Sequence, residues 1–575
     1  MKKIKLNHLS SVIIAALLMS GCAGLSKMSD DVSTVGFQVK PNPVETHAGQ
    51  VNVTIDTRFP EKYFNKKAVV VATPVLRYNG VETAYQSTTL QGESVEANNK
   101  VIPYAGGSYS YTGNIPYNAD MLQSELFVKF SAQIKDKTPV TFESAKIGDG
   151  VIATSTLVQK GPRTIVLADK FQRIIPEEYT ADIHYVINQA NVRSSELKQE
   201  DILNFQQQVK AADTLENKEI TGVTISAYAS PDGPIDLNTK LSGNRESSAQ
   251  QYLEKAMKDN KITSAEAADF LNMMSTPEDW EGFRALMEKS SIQDKDLILR
   301  VLSMYSDPVV REQEIKNISQ AYKEIAEEIL PQLRRSVLTA NVNVIGRSDS
   351  EITDLARNNP AQLSEEEILY AATLTTNNAD KIAIYQAAAK NFPNSVRANN
   401  NLGAVLLQGG RLPEAKTALE AARRIEANNA TVNANLGALA LAEGNTASAE
   451  QLLTTAMSAG SEVSYNLGII KIIQGQYPAA VNYFGNEASY NASLAQLLNG
   501  NTDRAMTTLN QLGEVKDAQV YYLKAVASAR GGNNTAVFSN LRTAISLNAA
   551  LKAYAQKDAE FLKLKEDATF QEIVR

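Results

Sequence analysis

The chain has 575 residues, 43% of them hydrophobic, and 57 basic against 64 acidic side chains give a net charge of −7. That length accommodates three or four domains of ~150 residues, and the acidic balance argues against a nucleic-acid binder, which is ordinarily basic. One cysteine, Cys22, and three histidines, His8, His47 and His184, exclude an internal disulfide, a Cys/His zinc site and a cysteine nucleophile. No Walker A loop, HExxH or GxSxG run is present, so the expectation is a non-enzyme with no cofactor and no metal.

At the amino terminus, Lys2, Lys3 and Lys5 precede an apolar core from Val12 to Met19. This predicts a secretory signal peptide over residues 1–21, too short to span a bilayer. The run Leu18-Met19-Ser20-Gly21-Cys22 resembles the lipobox of bacterial lipoproteins. That resemblance implies cleavage before Cys22, its acylation with palmitate-type chains, and attachment to a membrane. Each buried CH₂ contributes ~0.8 kcal/mol to such an anchor. Residues 22–36 predict a tether, of which the stretch from Ala23 to Val35 is small and polar and reaches ~45 Å at most when extended. Within it, Ser29-Asp30-Asp31 faintly resembles the acidic surface-export signals of Bacteroidetes lipoproteins; an acidic tether is the commoner explanation.

Residues 37–160 carry period-two alternation. Val51, Val53 and Ile55 alternate with Asn52 and Thr54, and Leu126, Val128, Phe130, Ala132 and Ile134 alternate with more polar neighbours, a strand signature. Asn79-Gly80 and Gly106-Gly107 mark turns. Several short strands predict an all-β, sandwich-like domain. Tyr104, Tyr109, Tyr111 and Tyr117 offer either a binding surface or tyrosines packed on a β face.

Residues 165–346 predict an α+β domain. A strand is expected at Ile183–Ile187, a helix bearing Ile202, Phe205 and Val209, a strand with Val223, Ile225 and Ala227, and a helix with Leu241, Ala249 and Leu253. From Ile225 to Leu253 the sequence resembles the OmpA C-terminal family, which binds peptidoglycan, with Gly233, Asn238, Leu241, Ser242 and Arg245 in the family's spacing. Leu333-Arg334-Arg335-Ser336-Val337-Leu338 resembles that family's closing strand. The resemblance implies that Arg245 takes a diaminopimelate carboxylate through a bidentate fork. The family's ammonium-binding aspartate is replaced by Ser230, which brings no charge; Asp232 is the substitute if the loop turns it inward. Residues 261–330 read as inserted helices, with a Thr263/Glu266 capping box, an N-cap at Thr276 before Pro277, and a stripe of Trp280, Phe283 and Met287. The run Asp279-Trp280-Glu281-Gly282 resembles a motif in the insertions of Bacteroidetes OmpA-like proteins.

After a linker over 347–362, residues 363–575 predict an all-α solenoid. Asn401-Leu402-Gly403 recurs 34 residues on as Asn435-Leu436-Gly437, and 31 later as Asn466-Leu467-Gly468. Thirteen residues past each leucine stands an alanine: Ala415, Ala449 and Ala480; Leu523 and Ala536 repeat the relation. The pattern resembles tetratricopeptide repeats, five or six of them. That resemblance implies a concave face on which Asn401, Asn435 and Asn466 hydrogen-bond an extended peptide backbone.

The combined expectation is a lipid-anchored outer-membrane scaffold facing the periplasm, the cell surface being the alternative placement. Its partners would be the membrane, peptidoglycan through Arg245, Ser230, Asp232 and Asn238, and an unidentified protein on the repeats. The alternative is a docking subunit of a secretion or surface-assembly complex that binds no peptidoglycan.

Overall fold

Alternating side chains dictate the first folded region. In the computed structural model, which describes residues 23–266 and 269–575, ten strands follow one another: β1 (Gly36–His47), β2 (Gln50–Phe59), β3 (Val69–Tyr78), β4 (Val81–Ala84), β5 (Thr88–Gly92), β6 (Lys100–Ile102), β7 (Gly107–Pro116), β8 (Ser124–Gln133), β9 (Val140–Glu143) and β10 (Gly148–Ile152). They pair in the order β6-β5-β3-β8-β10-β1-β2-β7, with β4 on β3 and β9 on β8. Val53 and Ile55 of β2, Val70 of β3, Tyr111 of β7 and Phe130 of β8 share one core. The sheet therefore curls so that alternate residues of distant strands face each other. Tyr109 and Tyr111 are buried there, and the Tyr111 hydroxyl donates to the Gln86 carbonyl at 2.7 Å, which is packing rather than an open aromatic surface.

The expected tether is not free. Ala23–Asp30 form a helix, and Leu25 and Met28 are each 1% exposed within the β core. The Tyr63 hydroxyl donates to the Met28 carbonyl at 2.8 Å. Two apolar residues three apart put one helical face on the domain, and this overrode the polar composition of the rest.

The chain divides into two compact units: residues up to Ala168 together with Asn377–Arg575, and Asp169–Thr376. The second holds β11 (Ile174–His184), β12 (Lys218–Tyr228), β13 (Leu271–Thr276) and β14 (Arg335–Ile345) in the order β11-β14-β12-β13. β14 runs antiparallel to β11 and β12, and β13 parallel to β12. The helices Glu200–Thr214 and Ile235–Asn260 bury Ile202, Phe205, Val209, Ala249 and Leu253 on this sheet.

Several boundaries differ from expectation. β11 lies earlier than Ile183–Ile187, because its exposed amino-terminal half, Ile174 to Glu178, still pairs with β14 although it covers no core. The insertion is not all helical: β13 arises from a methionine-bearing stretch with little strand propensity and takes its shape from β12. Thr263 bonds Asp213 through both its N–H and its hydroxyl. Asp279, not Thr276, caps the helix Trp280–Lys289, accepting from the Gly282 N–H at 2.8 Å. Trp280, Phe283 and Met287 do join a separate small core with Ile298, Leu302 and Leu333. The expected linker is the helix Asp349–Asn358, started by a Ser348/Glu351 capping box, and it belongs to this second unit with the helix Glu365–Ala371. Arg347 to Glu367 (2.8 Å) and the stacked rings of Phe171 and Tyr370 (4.4 Å between centroids) hold these helices there.

The carboxy-terminal helices of the first unit pair as Val396–Gln408 with Leu412–Ile425, Ala430–Ala442 with Thr446–Thr455, Ser461–Ile473 with Tyr477–Phe484, Tyr490–Leu498 with Thr502–Gln511, and Ala518–Arg530 with Asn534–Leu547. A Cβ on Gly403 would stand 2.5 Å from Leu419, on Gly437 2.7 Å from Leu453, and on Gly468 2.6 Å from Phe484. Glycine at that repeated position is what lets the two helices of a pair touch.

Candidate functional site

Period fixes what the concave face presents. Asn401, Asn435 and Asn466 occupy one position on successive first helices and are at most 1% exposed. Each makes the same pair of bonds to a single residue of an extended segment. Asn435 Oδ1 accepts from the Ile165 N–H at 2.8 Å, and its Nδ2 donates to the Ile165 carbonyl at 2.7 Å. Asn401 does so with Leu167 (2.7 and 2.8 Å), and Asn466 with Arg163 (2.8 and 2.8 Å). A fourth asparagine, Asn491, repeats the pairing with Gln159 at 3.0 and 2.8 Å. A carboxamide has one acceptor and two donors, which suits the two polar groups of one peptide residue. The paired residues 163, 165 and 167 are two apart, as an extended strand requires for groups facing one way.

The occupant is thus the chain's own segment after β10, running antiparallel to the order of the repeats. Part of it, 165–168, was expected in the central domain, whereas the structure groups it with the array; the expected pairing of Asn401, Asn435 and Asn466 with an extended backbone is made here to the chain's own segment. The covalent link through β10 brings the segment to the array, and its unpaired backbone groups find the asparagines there. Side chains add position. The Arg163 guanidinium lies 3.6 Å from the centre of the Tyr465 ring and pairs with Glu487 at 2.5 Å. Val158 is buried in the array's core, and the Gln159 amide donates to Asp517 and Gln519. Asn400 braces the ladder, donating to the Ile165 carbonyl at 3.2 Å and accepting from Asn435 at 2.9 Å.

The β domain meets the array beyond this segment. His47 Nδ1 and the Tyr477 hydroxyl are 2.7 Å apart, and the Thr154 hydroxyl donates to Glu560, which also pairs with Arg530. Next to it the Tyr522 hydroxyl donates to Asp558 at 2.6 Å, and burial pushes the Asp558 carboxyl up to about 6.

In the second unit, Arg245 is 1% exposed. Its Nε donates to the Gln189 carbonyl at 3.1 Å and its Nη1 to the Tyr228 carbonyl at 2.8 Å, with the Tyr185 ring 5.1 Å away. Burial lowers this guanidinium to about 10, so it is cationic at neutral pH. The Ser230 hydroxyl accepts from Arg334 at 3.3 Å, and Asp232 pairs with the same arginine at 3.4 Å. Asn238 donates to the carbonyls of Ser230 and Gly233 and so shapes the loop. Glu312, from the inserted helix Pro308–Asn317, accepts the Gly233 N–H at 2.7 Å. These four expected residues therefore share one neighbourhood, in which the Arg245 Nε and Nη1 and the Asn238 amide are bonded within the protein.

Cys22 lies outside the described residues. Among the described residues no helix is long and apolar enough to cross a membrane, and no group of three or more His, Cys, Asp or Glu is placed to hold a metal ion.

No protein-family model matches the chain, and no curated protein sequence matches it. Among solved structures it is similar to Pseudomonas aeruginosa pilF (TM-score 0.29, 16% identity, 39% of this chain and 98% of that one). It is also similar to PilW, a widely conserved type IV pilus biogenesis factor (0.28, 16%, 40% and 98%), and to a tetratricopeptide repeat protein from Parabacteroides merdae (0.27, 11%, 51% and 98%). Scores this low leave the repeat fold to rest on the helix pairs and periods described above.

Proposed function

We propose that the protein is a non-enzymatic, lipid-anchored scaffold of the bacterial envelope, with an OmpA-like central unit that serves as a docking module and does not grip the wall. The observation that carries this is the closure around Arg245. Its Nε and Nη1 are satisfied by backbone carbonyls, Ser230 at the expected aspartate position serves Arg334, and the inserted helix takes the Gly233 N–H through Glu312. An arginine that binds a carboxylate bidentately needs a free fork facing solvent.

Anchoring would come from acylated Cys22. Because Leu25 and Met28 are seated in the β core, such an anchor would hold that domain directly at the lipid surface. Sedimentation with purified sacculi tests the wall question: the native protein is expected in the supernatant, and co-sedimentation abolished by Arg245→Ala would overturn the proposal. Metabolic palmitate labelling, lost in Cys22→Ala, tests the anchor.

A further inference from the structure

The concave face of a repeat array is where an outside peptide would lie, and here residues 158–168 already lie on it. Three features make this segment resemble a ligand more than an element of the fold. Its pairing partners are the asparagine side chains, since no strand pairs with it. The bonds go to backbone groups, so any extended chain can form them. The first three helix pairs are closed by glycine against leucine or phenylalanine, contacts in which the segment takes no part. Selectivity enters at Arg163, whose cation is held between the Tyr465 face and Glu487, and at Ile165, which packs on the array's core.

We infer that the groove is a receptor for extended peptides of the pattern Arg-x-Ile-x-Leu, and that Val158–Ala168 is a tethered copy of that ligand holding it shut. This rests on the array's being the protein-binding part of the scaffold. A partner segment must then carry a cation for Glu487 and aliphatic side chains at alternate positions, and it must displace the strap. A short tether holds its ligand at an effective concentration on the order of 1 mM. With protein at ~10 μM, competition on that scale leaves at most ~1% of a trace peptide probe bound.

The test uses a fluorescein-labelled peptide with the sequence of residues 157–169, a scrambled version of it, and fluorescence anisotropy on the full chain. One variant replaces residues 159–167 with an equally long Gly/Ser run; a second carries only Arg163→Glu, which sets a carboxylate against Glu487. The native chain is expected to bind almost no probe, and each variant at least ten-fold more, with little binding of the scrambled peptide. Equal binding by native and variant chains overturns the tethered-ligand inference. A folded Gly/Ser variant that binds no probe overturns the receptor. Should the Gly/Ser variant not fold, Arg163→Glu decides: no gain in probe binding there makes the strap part of the fold and ends the proposal. The sacculus and palmitate assays use neither variant, so their failure is separate from this one.

Discussion

Replacing Asn435 with alanine isolates one rung of the ladder. The side chain makes three bonds, to the Ile165 N–H, the Ile165 carbonyl and Asn400 Oδ1, at 2.8, 2.7 and 2.9 Å. Each contributes ~0.5–1.5 kcal/mol net, and leaving a buried partner unpaired costs more. Water can enter the space that alanine leaves and recover part of this. A loss of ~2 kcal/mol in holding the strap is the expected outcome, which at 1.4 kcal/mol per tenfold is a ~30-fold rise in strap opening. Amide hydrogen exchange reads this locally: Ile165 and Leu167 should exchange ~30-fold faster, with the amides of β8 unchanged. Asn435→Asp sharpens the test. It keeps an acceptor for the Ile165 N–H but turns a second oxygen toward two oxygens, so it should lose at least as much as alanine. Exchange at Ile165 and Leu167 within two-fold of native in both variants would refute the ladder.

Gly468→Ala places a methyl 2.6 Å from the Phe484 ring and should destabilise the array by ~1–3 kcal/mol, read as a lower melting temperature. The Tyr490 hydroxyl is buried without a hydrogen-bond partner, so Tyr490→Phe should be neutral or stabilising by up to ~1 kcal/mol in urea unfolding. Asp558 carries a folded-state carboxyl raised from 3.8 to about 6, so between those values the folded chain holds the proton more tightly than the unfolded one. The contribution of Asp558 to stability should therefore fall as pH rises from 4 to 6, by ~3 kcal/mol in all, and then level off; it is read as the difference between the native chain and Asp558→Asn over that range, and identical pH dependence in the two would refute the assignment. Excising Asp169–Thr376 and joining the cut ends with a short Gly/Ser linker should leave a chain whose circular dichroism retains both the β domain and the helical array.

The sequence exposes the parts of this fold that repeat. Three copies of Asn-Leu-Gly identify three rungs and the glycine contact beneath each, because a period forces equivalent residues into equivalent places. Asn491 escapes because its repeat follows after only 25 residues and reads Asn-Ala-Ser, with Ser493 where glycine stood. The occupant escapes for a different reason. Gln159 to Leu167 has neither strand alternation nor helical period, and its backbone is satisfied by residues some 230 to 330 positions away. Arg245 shows the opposite limit: its spacing in the OmpA-like motif is readable, but its bonds to the Gln189 and Tyr228 carbonyls and the Tyr185 ring beside it are contacts that the motif does not contain.

The two halves of the first unit are separated in sequence by roughly 200 residues, yet this distance costs little. Closing a flexible loop becomes only ~0.6 kcal/mol harder for each doubling of its length, and a folded domain inside the loop shortens the disordered chain further. The strap then determines where the chain leaves and re-enters the unit. Leu167 is paired to Asn401, and the helix Asn378–Asn391 packs on the helix that carries Asn401. Both crossings thus sit at the first repeat pair, so a whole domain is inserted without disturbing the second to fifth pairs.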